Sequence, residues 1–224
     1  MLTLGSKYQI NPLQEEATRL LRECFPEQLE DYVTPHTSAY LHMFINHDHY
    51  PGLPKSYSSK SAVKLEHWDC VAVVNLARKF DLDFVLPAAF YACAQMHTED
   101  LFRAVRCSDG KAHKLSQADL HRVVDGRAQL CIFTVQSYRW LINGPPSTCL
   151  RTKDCKQAMG LDLLDLWGSL ANYPDVLLDN DRFRGELRYM MYCEVCLRAG
   201  RDYHETIRKR VWEELTDTFD IPTL

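Results

Sequence analysis

The chain has 224 residues, 46% of them hydrophobic and 25% charged, with 26 basic against 30 acidic side chains. That length builds a core that needs no covalent staples, and the formal charge of −4 lacks the basic excess of a general nucleic-acid binder. The longest apolar stretch, "FVLPAAFYACAQM" from Phe84 to Met96, is broken by a proline and too short to span a bilayer, so no membrane partner is expected.

Helical periodicity dominates from the start. In "NPLQEEATRLLREC", Asn11 is expected to cap a helix with Pro12 at its first position and Gln14 completing a capping box. Leu13, Ala17, Leu20, Leu21 and Cys24 then form one apolar stripe. The segment from Thr34 to Ala62, with "PGLPKSYSSKS" and clustered His and Tyr, reads as an irregular connector; a loop that long marks a boundary. "HWDCVAVVNLARKF" places Val71, Val74 and Phe80 at helical spacing. "LSQADLHRVVDG" offers Ser116 as a cap with Asp119 three residues on, and Gly126 to end the helix. Arg127 to Asn143 is a longer amphipathic helix closed by "GPP", and "RDYHETIRKRVWEELTDTF" repeats apolar residues at Ile207, Val211, Leu215 and Phe219. Trp68, Trp140, Trp167 and Trp212 fall within these patterns and are read as core or half-buried.

An internal repeat links two of these pieces. "LGSKYQINPLQEEA" (Leu4 to Ala17) and "LARKFDLDFVLPAA" (Leu76 to Ala89) align at an offset of 72 residues. Tyr8 matches Phe80, Ile10 matches Leu82, Asn11 matches Asp83 and Leu13 matches Val85. Each copy describes a helix ending on an aromatic, a short turn holding one aliphatic residue, and a capped second helix that must pack on neighbours to bury its face.

The same residues resemble a known family. "LGSKYQINPLQEEATRLLRECFPEQLEDY" is similar to the closing helices of a BTB/POZ domain. "VVNLARKFDLDFVLPAAFYACAQ" resembles the segment that follows that domain in a large group of fungal BTB proteins, and "LHRVVDGRAQL", a paired-cysteine loop, a C-x-x-C and "RKRVWEELTDTFDIP" continue the likeness. The chain starts almost at the tail helices, so the resemblance implies that the BTB sheet core lies upstream or is missing. A fragment without that sheet is expected to expose Leu13, Leu20 and Leu21. The resemblance also implies an adaptor that binds protein partners, with a cullin ubiquitin-ligase scaffold among them where the upstream core is present, and it leaves self-association open.

The nine cysteines carry the sharpest chemistry. "MLTLGSKYQI" has no continuous apolar core behind a basic start, so no secretory signal is expected. The thiols are then expected in an intracellular, reducing compartment, cytoplasm or nucleus, as free groups or metal ligands rather than disulfides. Cys149 and Cys155 in "CLRTKDC" are followed, after 37 residues, by Cys193 and Cys196 in "CEVC". Two close pairs are the usual supply for a tetrahedral structural zinc site, and the resembled family carries pairs at both places. Against this stands a helix using its cysteines as small hydrophobes. Both readings stay open. A thioredoxin-type role lacks its βαβ context. Cys24, Cys70, Cys93, Cys107 and Cys131 lie mostly on apolar helical faces and are read as core.

Other motifs fail on inspection. His42, His47 and His49 read as solvated loop histidines before they read as ligands. "HETIR" at His204 has Arg208 where a metalloprotease needs a second histidine. "LDNDRFRGE" has Phe183 where a calcium loop needs an acid. No two glycines lie closer than Gly160 and Gly168, which excludes phosphate and dinucleotide loops, and no G-x-S-x-G occurs. The basic run Arg198, Arg201, Arg208, Lys209 and Arg210 is interleaved with acids and reads as a solvated helix face.

The sequence therefore predicts an all-α protein of helix–turn–helix units packed as an irregular helical domain, with a four-cysteine zinc staple or without one. Closing BTB-like helices are expected over 1–33, the connector over 34–66 and a helical domain over 67–224. The expected function is non-enzymatic protein–protein interaction. The alternative is an enzyme or small-molecule binder with its site in a helical cleft and no readable motif.

Overall fold

A computed structural model describes residues 1–32, 63, 65–170, 174–177 and 191–222, with the backbone alone over 165–170. The architecture is helical, as the periodicity predicts. Helices α1 (Leu2–Tyr8) and α2 (Asn11–Cys24) are followed by α3 (Asp69–Phe80), α4 (Leu86–Ala94) and α5 (Thr98–Phe102). After a short antiparallel pair, β1 (Val105–Arg106) with β2 (Ala112–His113), come α6 (Gln117–Ser137), α7 (Arg139–Asn143), α8 (Thr152–Leu170), α9 (Glu194–Glu213) and α10 (Leu215–Thr218). The chain groups into two compact units, Met1–Gly126 with Leu215–Leu224, and Arg127–Glu214. Nearly all of the expected connector, with His42, His47 and His49, lies outside the described residues, as does the whole calcium-like stretch at 178–186. Among the described residues no helix is long and apolar enough to cross a membrane.

One turn is used three times in the first unit. α1 ends at Tyr8, Gln9 adopts a left-handed φ of 53°, and the Ile10 N–H reaches back to the Gly5 carbonyl at 2.8 Å. After α3, Asp81 takes φ 51° and the Leu82 N–H bonds the Ala77 carbonyl at 3.0 Å. After α10, Asp220 takes φ 47° and the Ile221 N–H bonds the Thr216 carbonyl at 3.0 Å. Each is an aromatic–polar–aliphatic string whose six-to-one bond satisfies a last-turn carbonyl. The first two sites are the repeat seen in the sequence; the third extends it.

The turn also corrects two expected caps. Only Gln9 and Ile10 separate α1 from α2, so Ile10 takes the cap position and its carbonyl accepts from the Leu13 and Gln14 N–H groups. Asn11 is already helical and makes no side-chain cap bond. Asp83 likewise opens a 3₁₀ turn, Asp83–Val85, that precedes α4. A non-glycine residue in the left-handed region costs about 1 kcal/mol. Gln9→Gly is therefore expected to stabilise the protein by about 0.5–1 kcal/mol, raising the melting temperature by about 1–4 °C. Calorimetry beside Gln9→Ala, which keeps the strain, checks it.

Around this frame the core of the first unit closes on α4. From Leu86 to Ala94 every residue but Pro87 is buried, the pattern of a helix surrounded on all sides. Val71 and Val74 of α3 are buried at predicted core positions, and the Phe90 ring packs 5.6 Å from Phe219. Leu13, Leu20 and Leu21 of α2 are half-buried, and Leu4, Tyr8 and Ile10 are among the apolar side chains left open near this end. At the start of α3 the buried Asp69 carboxylate accepts from the Glu66 N–H at 2.8 Å and the Ser108 N–H at 2.7 Å. That ties the helix to the hairpin loop.

Helix α6 starts as expected and ends where it was not expected to. Ser116 Oγ accepts from the Asp119 N–H at 3.1 Å and donates to the Asp119 carboxylate, which also receives Arg78 at 2.9 Å. Gly126, however, does not stop the helix, which runs on to Ser137. The glycine serves packing instead. A Cβ there would lie 2.2 Å from Cδ1 of Phe219, so only a hydrogen leaves room for the ring. The last predicted helix is also two. α9 gives way at Glu214 to α10, so Ile207 and Val211 are buried in one unit while Leu215 and Phe219 are buried in the other.

Candidate metal centre

In the second unit the two cysteine pairs come together. Cys149 lies in the loop after α7, which stops at Asn143 with Gly144 at φ 79°. Its N–H bonds the Pro146 carbonyl at 2.9 Å, curling the loop back. Cys155 stands in the first turn of α8. Cys193 is the N-cap residue of α9, and Cys196 lies within its first turn. The loose C-x5-C spacing works because its first cysteine precedes a helix and its second sits one turn inside. Three of the four thiols thus stand at the starts of long helices, where the positive end of the helix dipole favours a thiolate.

The sulfurs converge tightly. All four lie within 4.8 Å of one another, with Cys149 Sγ 3.7 Å from Cys193 Sγ and 3.4 Å from Cys196 Sγ. Metal–sulfur bonds of about 2.3 Å in a tetrahedron imply sulfur–sulfur edges of about 3.8 Å. The observed spacings bracket that edge and far exceed a disulfide bond. None of the nine cysteines, all of them described, is in a disulfide.

Electrostatics inside the cluster point the same way. Burial raises the Cys193 thiol, but backbone hydrogen bonds from Cys196 and Leu150 and the thiols of Cys149 and Cys196 outweigh it, bringing the group down to about 6. Burial pushes Cys155 and Cys196 up, and hydrogen bonding with the neighbouring sulfurs pushes Cys196 further. One thiolate therefore forms readily, while Cys155 and Cys196 hold their protons more tightly. Gathering the remaining negative charges within this volume needs a cation, since like charges this close strongly oppose ionisation.

The surroundings are apolar and anchored. Cys155, Cys193 and Cys196 share a core with Tyr138, Trp140, Leu141, Ala158, Met159 and Tyr192. Arg151 donates to the Tyr192 carbonyl at 2.8 Å, joining the two cysteine-bearing segments. The Tyr192 hydroxyl donates to Asp162 at 2.6 Å, and the Cys193 N–H points at Cys155 Sγ at 3.3 Å. Trp140 lies close enough to α9 that a Cβ on Gly200 would stand 2.7 Å from its Cζ2. Sequence reasoning singled out the four cysteines and the buried Trp140. It missed Arg151, Tyr192 and Asp162, which carry no spacing signal. A mid-helix glycine in "LRAGRD" was the one cue to a close approach.

The other cysteines and His204 fall elsewhere. Cys24, Cys70, Cys93 and Cys107 are buried in the first unit as expected, while Cys131 is only half-buried. His204 is buried with its ring 6.4 Å from that of Tyr138. Among the described residues the four-cysteine cluster is the one grouping placed to hold a metal ion. A groove of about 740 Å³ runs along the first half of α6, lined by Phe102, Leu115, Leu120 and Val124 with Lys114, His121 and Asp125 beside them. Comparison of the chain with family models, with curated proteins and with solved structures finds no match.

Proposed function

We propose that this chain is a non-catalytic interaction protein of the BTB-adaptor type, its second unit clasped by a structural zinc ion on Cys149, Cys155, Cys193 and Cys196. The observation that carries the metal is the convergence of four thiols within 4.8 Å. Four thiolates suit a soft, tetrahedral dication, and zinc is the usual occupant of such a set. The protein fills every position of the tetrahedron, which leaves no open site for water or substrate. That is the signature of a structural rather than a catalytic centre. Zinc, when bound, supplies cross-linking between the loop after α7 and the starts of α8 and α9. Arg151, Tyr192 and Trp140 orient and dry the ligands around it.

The adaptor half of the reading is supported by surface chemistry and by the family likeness. Leu4, Tyr8 and Ile10 are 54%, 62% and 44% exposed on one hairpin, and Phe102 and Val124 open onto the α6 groove. Clustered apolar side chains at a surface are what a protein partner covers. The test is affinity capture from native extract with zinc-loaded protein, beside a Leu4→Glu/Tyr8→Glu variant. Specific partners recovered by the wild type and lost in the variant are the expected result. Recovery of chaperones alone by both would overturn the reading.

A further inference from the structure

We infer that Cys149 is an oxidation site, where a peroxide-class oxidant triggers a Cys149–Cys196 disulfide and, on the zinc reading above, discharge of the metal. The four sulfurs are not equally protected. Cys155 and Cys196 are wholly buried and Cys193 nearly so, in the core they share with Trp140, Met159 and Tyr192. Cys149 is only half-buried, and its loop neighbour Leu150 is 73% exposed, with Thr148 exposed on the other side. An oxidant arriving from solvent meets Cys149 first. Susceptibility follows thiolate character and exposure together, and a metal-bound sulfur keeps its thiolate character.

A resolving group is already in reach. Cys196 Sγ lies 3.4 Å from Cys149 Sγ, closer than Cys193 Sγ at 3.7 Å. The Cys149 thiolate attacks peroxide; the O–O bond breaks, a sulfenic acid forms and hydroxide leaves. The Cys196 thiolate then attacks that sulfur, the S–O bond breaks, and a second hydroxide departs as the S–S bond closes. Two sulfurs have lost two electrons and the peroxide has gained them. The metal changes no oxidation state. It keeps Cys155 and Cys193 alone, too few to hold it against water. A reducing dithiol reverses the bond by exchange.

The test uses zinc-loaded full-length protein carrying Cys131→Ser, which removes the other cysteine that is not fully buried. Stoichiometric hydrogen peroxide is added, metal release is followed with a chelating dye, and disulfides are mapped by mass spectrometry. The expected result is loss of two thiols and about one zinc per chain, a Cys149–Cys196 linkage, and recovery with dithiothreitol plus zinc. In a parallel arm, limiting iodoacetamide should alkylate Cys149 ahead of Cys155, Cys193 and Cys196. A Cys193–Cys196 linkage, or intact thiols and retained zinc at peroxide levels that oxidise free cysteine, would overturn the inference. Protein that carries no zinc before oxidant is added counts against the metal reading instead, and the mapping still decides whether Cys149 pairs with Cys196.

Discussion

Cys193→Ser is expected to strip the metal from the second unit and to lower its melting temperature by about 8–16 °C. Serine is a preferred N-cap residue, so the start of α9 keeps its cap and the substitution removes a ligand and little else. A thousandfold weaker hold on the ion removes about 4 kcal/mol of stability at fixed free zinc. For a chain of this length that converts to the stated shift. Helical content should survive, because Trp140, Met159 and Tyr192 still pack without the ion. Cys131→Ser, half-buried and outside the cluster, is the control that loses neither zinc nor stability. Equal melting curves for all three proteins would mean the four thiols are ordinary core side chains.

The second large effect belongs to the first unit. Gly126→Ala should destabilise the protein by about 1–2 kcal/mol even though alanine is the better helix former. Two terms compete. Alanine gains about 1 kcal/mol of helix propensity in the middle of α6. Its Cβ, however, meets Phe219 Cδ1 at 2.2 Å and Cε1 at 2.3 Å, more than an ångström inside ordinary contact. Phe219 is fully buried beside Phe90, so the ring has nowhere to retreat. Overpacking of this kind costs about 1–3 kcal/mol, occasionally more, and it wins. The diagnostic is the pair: Phe219→Leu costs stability alone yet should relieve Gly126→Ala, giving a coupling of about 1–2 kcal/mol in a double-mutant cycle read by urea unfolding. Additive losses would show that the ring and the glycine do not meet.

Both predictions bear on what could be read from residues alone. Periodicity placed α2, α3 and the start of α6, because an amphipathic stripe and a Ser116–Asp119 box are local facts. The four clustered cysteines were legible too, since two close cysteine pairs are a local pattern whose convergence chemistry alone can suggest. What failed was set by tertiary contact. Gly126 reads locally as a helix stop, and nothing nearby announces that the Phe219 ring will occupy the space of its missing side chain. Asn11 reads as a cap until the left-handed Gln9 and the Ile10–Gly5 bond leave no room for one. The turn at Asp220 repeats the strings "YQI" and "FDL" as "FDI", so its signal was present and went unmatched. The β1–β2 hairpin is two residues a side, too short for alternation to register, although "SDG" marks its turn.

Whether Cys149, Cys155, Cys193 and Cys196 form one ligand set is decided by X-ray absorption at the zinc edge of purified protein. About one zinc per chain is expected, surrounded by four sulfur neighbours at about 2.3 Å and no nitrogen or oxygen. Folded protein free of metal, or a zinc shell containing nitrogen or oxygen ligands, would contradict it.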